Sequence, residues 1–231
     1  MPPICQIAEA IGPDMASRQQ PGDPRRPAPR LYLVTPQDCT GVADQLVSIL
    51  AATDVAAVLL QLPQCDERGQ IDCAKTFAAT VQSRGVALLL DGHADLAARA
   101  GADGAHLTGR DAFETAYTTL KPDRIAGCGG LASRHDAMVA AESGADYIMF
   151  GEPDATGHRP PFSAVLDRVA WWAEVFEVPC VGFAATPEEV GPLAAAGADF
   201  VALGPWVFAD DRGLEAATAA GHEIAGAEVI A

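Results

Sequence analysis

The stretch AGADFVALGP, residues 196–205, has two close copies earlier in the chain, AGADGAHLTG at 100–109 and SGADYIMFGE at 143–152. In each copy an Ala-rich segment ends at a glycine, and an aspartate and a short apolar run follow. This order predicts a helix that ends at a left-handed glycine and leads into a buried strand, with a second glycine after the strand where the backbone turns or approaches another group. The helix-ending glycines are Gly101, Gly144 and Gly197, and those after the strands are Gly109, Gly151 and Gly204.

Repetition of this unit predicts a parallel sheet, and the same alternation runs from residue 31 onward. Apolar segments predict eight strands, at 31–35, 57–62, 86–90, 104–107, 124–127, 146–150, 179–183 and 199–203. Helices are predicted near 41–53, 71–84, 93–100, 111–120, 133–143, 163–176, 187–196 and 210–225. Asp72, Ser133 and Thr186 are the expected helix start signals. Eight βα units within 231 residues favour an α/β fold of the TIM (β/α)₈ barrel type over an open doubly wound sheet.

Residues 1–30 differ from the rest of the chain. They contain seven prolines and the stretch QQPGDPRRPAPR, which predict a flexible arm with a short amphipathic helix through residues 4–11. The arm either covers the bottom of the barrel or is disordered. Residues 31–231 form one barrel domain in this interpretation.

Composition excludes several classes of partner. The formal charge of −16 leaves no basic face for nucleic acid or an anionic membrane. No apolar run reaches the ~18 residues of a membrane span, and no signal-peptide pattern is present. The six cysteines show neither a CxxC pair nor zinc-like spacing, which is typical of free thiols in a reducing compartment. We therefore expect a cytoplasmic protein without nucleic-acid or membrane partners.

The active site of such a barrel lies at the carboxyl ends of its strands. Asp91 follows the third predicted strand and Asp111 the fourth, so two carboxylates are expected on one rim, where they suit Mg²⁺. The alternative for Asp111 is that it only caps the helix that follows. His106 lies within a strand, and its parity there favours a hydrogen-bonded core histidine over a catalyst. Trp172 has the helical spacing of a core residue.

Two further regions of the mouth are candidates for binding. The loop GEPDATGHRPP, residues 151–161, brings Thr156, His158 and Arg159 together and is either a binding loop or a solvated surface loop. A phosphate cradle is expected after the seventh and eighth strands. Ala184 and Ala185 can present N–H groups there, whereas Phe183, Pro205 and Trp206 crowd the site or remove donors.

Five segments resemble the family of thiamine-phosphate synthase and the related thiazole tautomerase, over residues 31–208. They are LYLVT at 31–35, LLQL at 59–62, DLAARAGADGAHLTGRD at 95–111, AAESGADYIMFGEP at 140–153 and TPEEVGPLAAAGADFVAL at 186–203. The resemblance implies a barrel transferase that uses Mg²⁺ to join a pyrimidine-methyl diphosphate to a thiazole phosphate, through a pyrimidine carbocation and loss of pyrophosphate. It also implies phosphorylated small-molecule substrates and a homodimer.

The resemblance assigns roles to particular residues. Gln61 and Arg159 stand at catalytic positions. Asp111 agrees with one metal ligand, and Asp91 supplies the other from one residue before the family's position. Thr156 and Arg159 fall at the threonine and the lysine that meet pyrophosphate. The remaining substrate-binding positions are Gly127, Gly129, Ala184, Ala185 and Gly204.

The match also has departures, which predict a weakened phosphate site. Pro63 and Cys65 replace an arginine and a lysine, Gly92 follows Asp91 where the family has an Asn-Asp pair, Phe183 replaces a glycine, and Pro205 replaces a serine. Two alternatives stay open for this reason: a barrel that binds a phosphorylated ligand without catalysis, and a tautomerase-like isomerase. For the isomerase, Leu131 or Ala132 stands where a histidine is needed, and His135 is only nearby.

Overall fold

The structure is a computed structural model that describes residues 28–39, 41–154 and 156–227. The arm predicted over residues 1–30 and its helix lie almost entirely outside the described residues. Its last residue, Arg30, already opens the first strand and pairs with Asp54, so the barrel begins one residue earlier than expected.

Eight parallel strands form a closed barrel in which each strand pairs with the next along the chain and the last pairs with the first. The strands are β1 Arg30–Val34, β2 Val55–Leu60, β3 Ala87–Asp91, β4 Gly104–Thr108, β5 Ile125–Gly129, β6 Tyr147–Phe150, β7 Cys180–Ala184 and β8 Phe200–Leu203. The predicted TIM barrel is confirmed, and all strand ends that were expected to carry function meet at one opening.

Eight α-helices follow the strands within the described part of the chain. They are α1 Val42–Ala52, α2 Glu67–Gln82, α3 Ala94–Ala100, α4 Arg110–Leu120, α5 Arg134–Glu142, α6 Phe162–Val175, α7 Val190–Ala195 and α8 Gly213–Gly226. Short 3₁₀ turns, Pro187–Glu189 and Pro205–Phe208, precede α7 and α8.

Of the three residues that were predicted to start helices, one caps an α-helix in the structure. Ser133 caps α5 in a capping box with Asp136, as expected. Asp72 does not start α2, because Asp66 accepts a hydrogen bond from the N–H of Gly69 and the helix begins at Glu67. Thr186 precedes a 3₁₀ turn rather than a full helical turn.

The repeated glycines have the backbone conformation that the sequence predicts. Gly101, Gly144 and Gly197 have φ values of 73°, 99° and 92°. Gly101 ends α3, and its N–H donates to the carbonyls of Ala97 and Ala98. The three repeats are thus three copies of one helix-to-strand junction.

Two apolar layers hold the barrel together. The outer layer lies between strands and helices and includes Trp172, which is fully buried and donates Nε1–H to the carbonyl of Val178 at 2.7 Å. The inner layer fills the lumen with aromatic and small side chains, among them Tyr32, Tyr147 and Phe183. Trp172 is therefore a core residue, as predicted, and the lumen is a packed interior rather than a channel.

Among the described helices, none combines the length and the apolar character that crossing a membrane requires. Cys39, Cys65, Cys73 and Cys128 are free thiols, as the cysteine spacing predicts.

Candidate active site

Gln61 and Asp91 meet at the mouth of the barrel. Asp91 is the last residue of β3, and Gln61 directly follows β2. The amide Nε2 of Gln61 donates to Asp91 Oδ2 at 3.2 Å, and the backbone N–H of Gln61 donates to Thr35 Oγ1 at 3.1 Å. The first bond holds the Gln61 side chain next to the carboxylate that was predicted to bind metal, and the second holds its backbone beside the end of β1.

Asp111 lies in the first turn of α4, and its side chain is 91% exposed. Gly109 is the N-cap of this helix, so the alternative that Asp111 caps it is wrong. Among the residues that the structure describes, the only side-chain donor to its carboxylate is Arg110, through a long bond of 3.4 Å. Within residues 28–39, 41–154 and 156–227, no three His, Cys, Asp or Glu side chains are grouped to hold a metal. A metal at this rim would need further oxygen ligands from a substrate.

The loop after β6 folds around Asp154. Asp154 Oδ1 accepts from the hydroxyl of Thr156 at 2.6 Å and from the backbone N–H groups of Thr156 and His158. The Thr156 hydroxyl is the main cause of a lowered pKa at Asp154, and the two N–H groups add to it. The hydroxyl predicted to meet pyrophosphate is therefore already hydrogen-bonded.

Arg159 is enclosed by partners at the ends of β6 and β7. Its Nη1 and Nη2 donate to Glu189 Oε1 and Oε2 at 3.0 and 2.6 Å, a bidentate pair in which the two side chains are 22% and 12% exposed. Nε donates to the carbonyl of Gly151 and Nη2 to that of Phe183. A diphosphate would have to compete with this carboxylate for the guanidinium.

The Glu189 carboxylate also accepts a hydrogen bond from a second group that was predicted to bind an anion, the backbone N–H of Ala185. Glu189 Oε2 accepts from the N–H of Ala185 at 2.8 Å. Ala184 presents its carbonyl, which accepts from the N–H of Gly204 and from Trp206 Nε1. The sequence shows Glu189 only as an acid in a first helical turn, so its position beside Arg159 was not predicted.

Gly127 and Gly129 have a steric role that the sequence did not reveal. A Cβ atom on Gly127 would lie 2.1 Å from Cζ of Tyr147, and one on Gly129 would lie 1.9 Å from Oε1 of Glu152. Both glycines of β5 therefore make room for side chains of the β6 region, whatever contact they have with substrate.

These side chains belong to a hydrogen-bonded chain through the lumen. The hydroxyls of Tyr32 and Tyr147 share a hydrogen bond at 2.9 Å, and the Tyr147 hydroxyl is 2.9 Å from Nδ1 of His106. His106 Nε2 is 2.9 Å from Glu152 Oε1. His106 is a satisfied core histidine, as predicted, but the parity assignment was wrong, because its ring faces the lumen rather than the helices.

Three side chains in this hydrogen-bonded series, His106, Tyr32 and Tyr147, have shifted pKa values. Burial by itself lowers the pKa of His106, but the Glu152 carboxylate and the more distant Asp91 outweigh burial and raise the pKa above its ordinary value. Burial raises the pKa of Tyr32 and of Tyr147, so both phenols keep their protons. The Glu152 carboxylate thus favours the protonated form of His106 beneath the mouth.

Above this pair lies a cleft of about 190 Å³, between the loops that follow β5 and β6. Glu152 is 9% exposed and lines it. The guanidinium of Arg168 donates to the carbonyls of Leu131 and Ala132 and so holds the β5 loop. The lining residues are Gly130, Leu131, Ala132, Met149, Phe150, Gly151, Glu152, Asp154, His158, Pro160 and Arg168.

Comparisons with known proteins identify relatives of this chain. The sequence model of the family described as thiamine monophosphate synthase matches residues 31–205. The thiamine-phosphate synthase of Rhodospirillum centenum is 40% identical over 195 residues, which cover 82% of this chain and 94% of that protein. That of Hyphomonas neptunium is 37% identical over 207 residues, covering 84% and 93%.

The chain belongs to the thiamine monophosphate synthase family. The relatives named as synthases are transferases, so the expectation of an enzyme of this type is confirmed at the level of the family. A solved structure of thiamine phosphate pyrophosphorylase from Pyrococcus furiosus has a TM-score of 0.70 at 19% identity, covering 84% of this chain and 95% of that one. At that identity the likeness supports the barrel fold alone.

The structure gives the positions of four residues that were expected to weaken the phosphate site. The carbonyl of Pro63 accepts from Cys65 N–H and Gln70 Nε2, and Cys65 is exposed just before α2. Phe183 is 7% exposed and points into the lumen, and Pro205 opens a 3₁₀ turn without an N–H to offer. None of these four residues carries a positively charged side chain.

Proposed function

We propose that this family member is a thiamine-phosphate synthase that joins a pyrimidine-methyl diphosphate to a thiazole phosphate with release of pyrophosphate. The observation that carries the proposal is the hydrogen bond between Gln61 and Asp91 at the open end of the closed barrel. It places an orienting amide next to a carboxylate at the strand ends, where barrel enzymes have their active sites. The membership of the family agrees with it.

Gln61 would orient the pyrimidine. Asp91 accepts from Nε2 of Gln61 and so fixes which way the amide faces, while Oε1 of Gln61 has no hydrogen-bond partner among the described residues. That oxygen accepts a hydrogen bond from a ring substituent in our proposal. The reacting carbon is thereby held in line with the thiazole nitrogen, and positioning of this kind supplies much of the rate in a two-substrate reaction.

The donor set at the rim fits Mg²⁺. Magnesium is usually bound through one or two carboxylates together with substrate phosphates and water, so a cluster of three protein ligands is not required. Asp91 and Asp111 would hold it, and Asp111 is exposed enough to do so. The ion would supply the charge that stabilises the leaving pyrophosphate.

Thr156 and Arg159 would contact the diphosphate, and Gly127, Gly129, Ala184, Ala185 and Gly204 stay predictions as substrate-binding positions. Because Glu189 engages both Arg159 and Ala185, we expect weak diphosphate binding and slow turnover. The cytoplasmic location, the homodimer and the absence of a nucleic-acid partner also stay predictions.

Turnover tests the proposal directly. Purified protein with both precursors and Mg²⁺ should form thiamine phosphate slowly, and Asp111→Ala should abolish it. Asp123→Ala, which removes the same charge from another exposed position, is the matched control and should keep the wild-type rate. Absence of product at every Mg²⁺ concentration, or an unchanged rate in Asp111→Ala, would contradict the assignment.

A second candidate is a barrel that binds a phosphorylated ligand without catalysis. The Glu189 contacts favour it, because they satisfy two groups that a catalytic phosphate cradle would keep available. Calorimetry separates the two functions: pyrophosphate binding that requires Mg²⁺, together with product formation, supports the synthase. Binding of phosphate without Mg²⁺ and without turnover supports the binding barrel.

A further inference from the structure

Two cysteine side chains meet between the first loop of the mouth and α2. Cys39 lies in the loop that joins β1 to α1, and Cys73 lies within α2. Both are free thiols, partly buried and packed against the outer apolar layer. The two thiols are close enough to share a side-chain hydrogen bond. A disulfide holds its sulfurs about 2 Å apart, so thiols that are already in contact need little movement to be bridged.

Cys39 also contacts the backbone of the candidate active site. Its Sγ lies 3.5 Å from the carbonyl oxygen of Pro36 and 3.5 Å from that of Gln61, and its S–H donates to them. The N–H of Gln61 donates to Thr35 Oγ1, and its side chain donates to Asp91. A change of bonding at the Cys39 sulfur therefore acts on the segment of backbone that carries Gln61.

The surroundings of the two sulfurs give them different roles. Burial, and next the neighbouring Cys73, raise the pKa of Cys39 to about 11, and the Asp38 carboxylate adds to this. Burial also raises the pKa of Cys73, with a smaller contribution from Cys65, but the contact with Cys39 lowers it. Carbonyl oxygens at Cys39 favour the protonated thiol, and that S–H stabilises a thiolate at Cys73. Cys73 is therefore the thiol that ionises first.

We propose that Cys73 and Cys39 are an oxidation-responsive pair, which a peroxide converts to a disulfide between α2 and the β1–α1 loop, and that this disulfide slows turnover at Gln61. Formation of the disulfide is independent of the proposed function. Only its effect on turnover rests on that function. Disulfides of proteins in reducing compartments are usually transient and redox-sensing, which fits a pair that is reduced until an oxidant appears.

Hydrogen peroxide is the oxidant in this proposal. The Cys73 thiolate attacks one peroxide oxygen, the O–O bond breaks, and the hydroxide that leaves takes up the proton lost by Cys73, which gives a sulfenic acid and water. The Cys39 sulfur then attacks the Cys73 sulfur. The S–S bond forms, the S–O bond breaks, and the leaving hydroxide takes the Cys39 proton as a second water. The two sulfurs lose two electrons, and the peroxide gains them.

The disulfide changes the contacts of Gln61. Oxidised Cys39 has no proton, so the carbonyls of Pro36 and Gln61 lose their S–H donor. The β1–α1 loop also becomes tied to α2 by a covalent bond of fixed geometry. Because Gln61 acts by positioning in our proposal, a small displacement of its backbone is enough to lower the rate.

Peptide mass spectrometry tests the pair without turnover. Treatment of the full chain with hydrogen peroxide should give a Cys39–Cys73 cross-linked peptide whose mass is lower by two hydrogens, and dithiothreitol should reverse it. Below the raised pKa of Cys73, the rate of cross-linking should rise about tenfold per pH unit, because the reaction needs the thiolate. Cys73→Ser should abolish the cross-link. Cys65→Ser removes an exposed thiol close to the pair and is the matched control, which should keep it.

The wild-type experiment keeps the test valid if Cys73→Ser does not fold, because the cross-linked peptide itself identifies the two residues. A cross-link through Cys65, or oxidation of Cys39 and Cys73 to separate sulfonic acids with no cross-link, would overturn the proposal. So would a cross-linking rate that does not change with pH.

Turnover of the same preparations measures the effect on Gln61. Formation of thiamine phosphate should fall about tenfold in the cross-linked wild type and recover with dithiothreitol, whereas Cys73→Ser should be insensitive to peroxide. An unchanged rate in the cross-linked protein would overturn the proposal and leave the synthase standing. A reversible cross-link in a protein that forms no thiamine phosphate in either state would refute the synthase and leave the oxidation-responsive pair standing.

Discussion

The two sides of the barrel mouth differ in how far other protein groups satisfy their charged side chains. On the β7 side, Glu189 accepts two bonds from Arg159 and one from the N–H of Ala185, so this cluster satisfies itself. On the β5–β6 side, Glu152 binds His106 with one oxygen and leaves the other without a donor in the described chain. The first side is closed by its own side chains, whereas Glu152 on the second side lines a cleft.

The contrast shows that the availability of a charged group depends on its neighbours. Arg159 carries a positive charge at the mouth, yet the Glu189 carboxylate pairs with it. Glu152 lines the small cleft and, among the described residues, its carboxylate pairs with His106.

The largest loss of stability is expected from a substitution at Gly127, on the β5–β6 side of the mouth. In Gly127→Ala the new Cβ would overlap the buried ring of Tyr147, which cannot move aside in a packed lumen. We expect a loss of about 3 kcal/mol in the free energy of unfolding, measured with urea. Gly221→Ala in α8 meets no such contact and should stabilise the protein by about 0.5 to 1 kcal/mol. Similar stability for both variants would contradict the steric role.

A smaller loss is expected from breaking the β7 side. Glu189→Ala leaves Arg159 largely buried without its carboxylate, and we expect about 2 kcal/mol less stability. The freed guanidinium and the N–H of Ala185 should then bind pyrophosphate more tightly than in the wild type, as measured by calorimetry. The exposed Glu177→Ala is the control and should change neither quantity. Weaker pyrophosphate binding in Glu189→Ala would show that the closed cluster does not obstruct the anion.

The pH dependence of stability should reveal the interaction between His106 and Glu152 on the β5–β6 side. The pKa of His106 is raised in the folded protein, so its contribution is fully present below the unfolded value of about 6.5 and is lost as the pH rises through the folded pKa. Urea unfolding at pH 6, 7 and 8 should show a stability difference between wild type and His106→Asn that shrinks with pH. The same comparison with the exposed His135→Asn should be flat. A difference that grows with pH would mean that His106 is buried neutral.

The smallest structural effect is expected at Asp111, which belongs to neither side. Because its side chain is exposed and has only a long contact to Arg110, Asp111→Ala should not change the midpoint of thermal unfolding. Lost turnover with unchanged stability would then assign it to the metal. A lowered midpoint would instead assign it a structural role in α4.

The order of elements could be predicted because each βα unit carries local signals. Gly101 is an example, since only a residue without Cβ adopts its left-handed φ at no cost, and the first four residues of the strand after it are buried. The start of α2 could not be predicted as well, because Asp72 and Asp66 are both plausible caps and Gly69 disfavours a helix that nevertheless forms.

The candidate site was predicted only in part. Gln61 and Asp91 were identified, and the structure brings them into contact. Glu152 and Glu189 were missed, because an acid in a loop or in a first turn is ordinarily solvated and nothing adjacent in sequence marks it otherwise. Gly129 carried the one available signal, since a glycine at a strand end can indicate a close approach of another group.

The sequence by itself determined the barrel, through the repeated junction of helix, glycine and strand, because backbone conformation and apolar burial are set by residues close together along the chain. Only the tertiary structure decided which charged side chains pair with each other and which line the cleft at the mouth. Glu189 meets Arg159 across 30 positions and Glu152 meets His106 across 46, and separations of that kind are fixed by barrel closure. The availability of a hydrogen-bonding group follows from those long-range contacts.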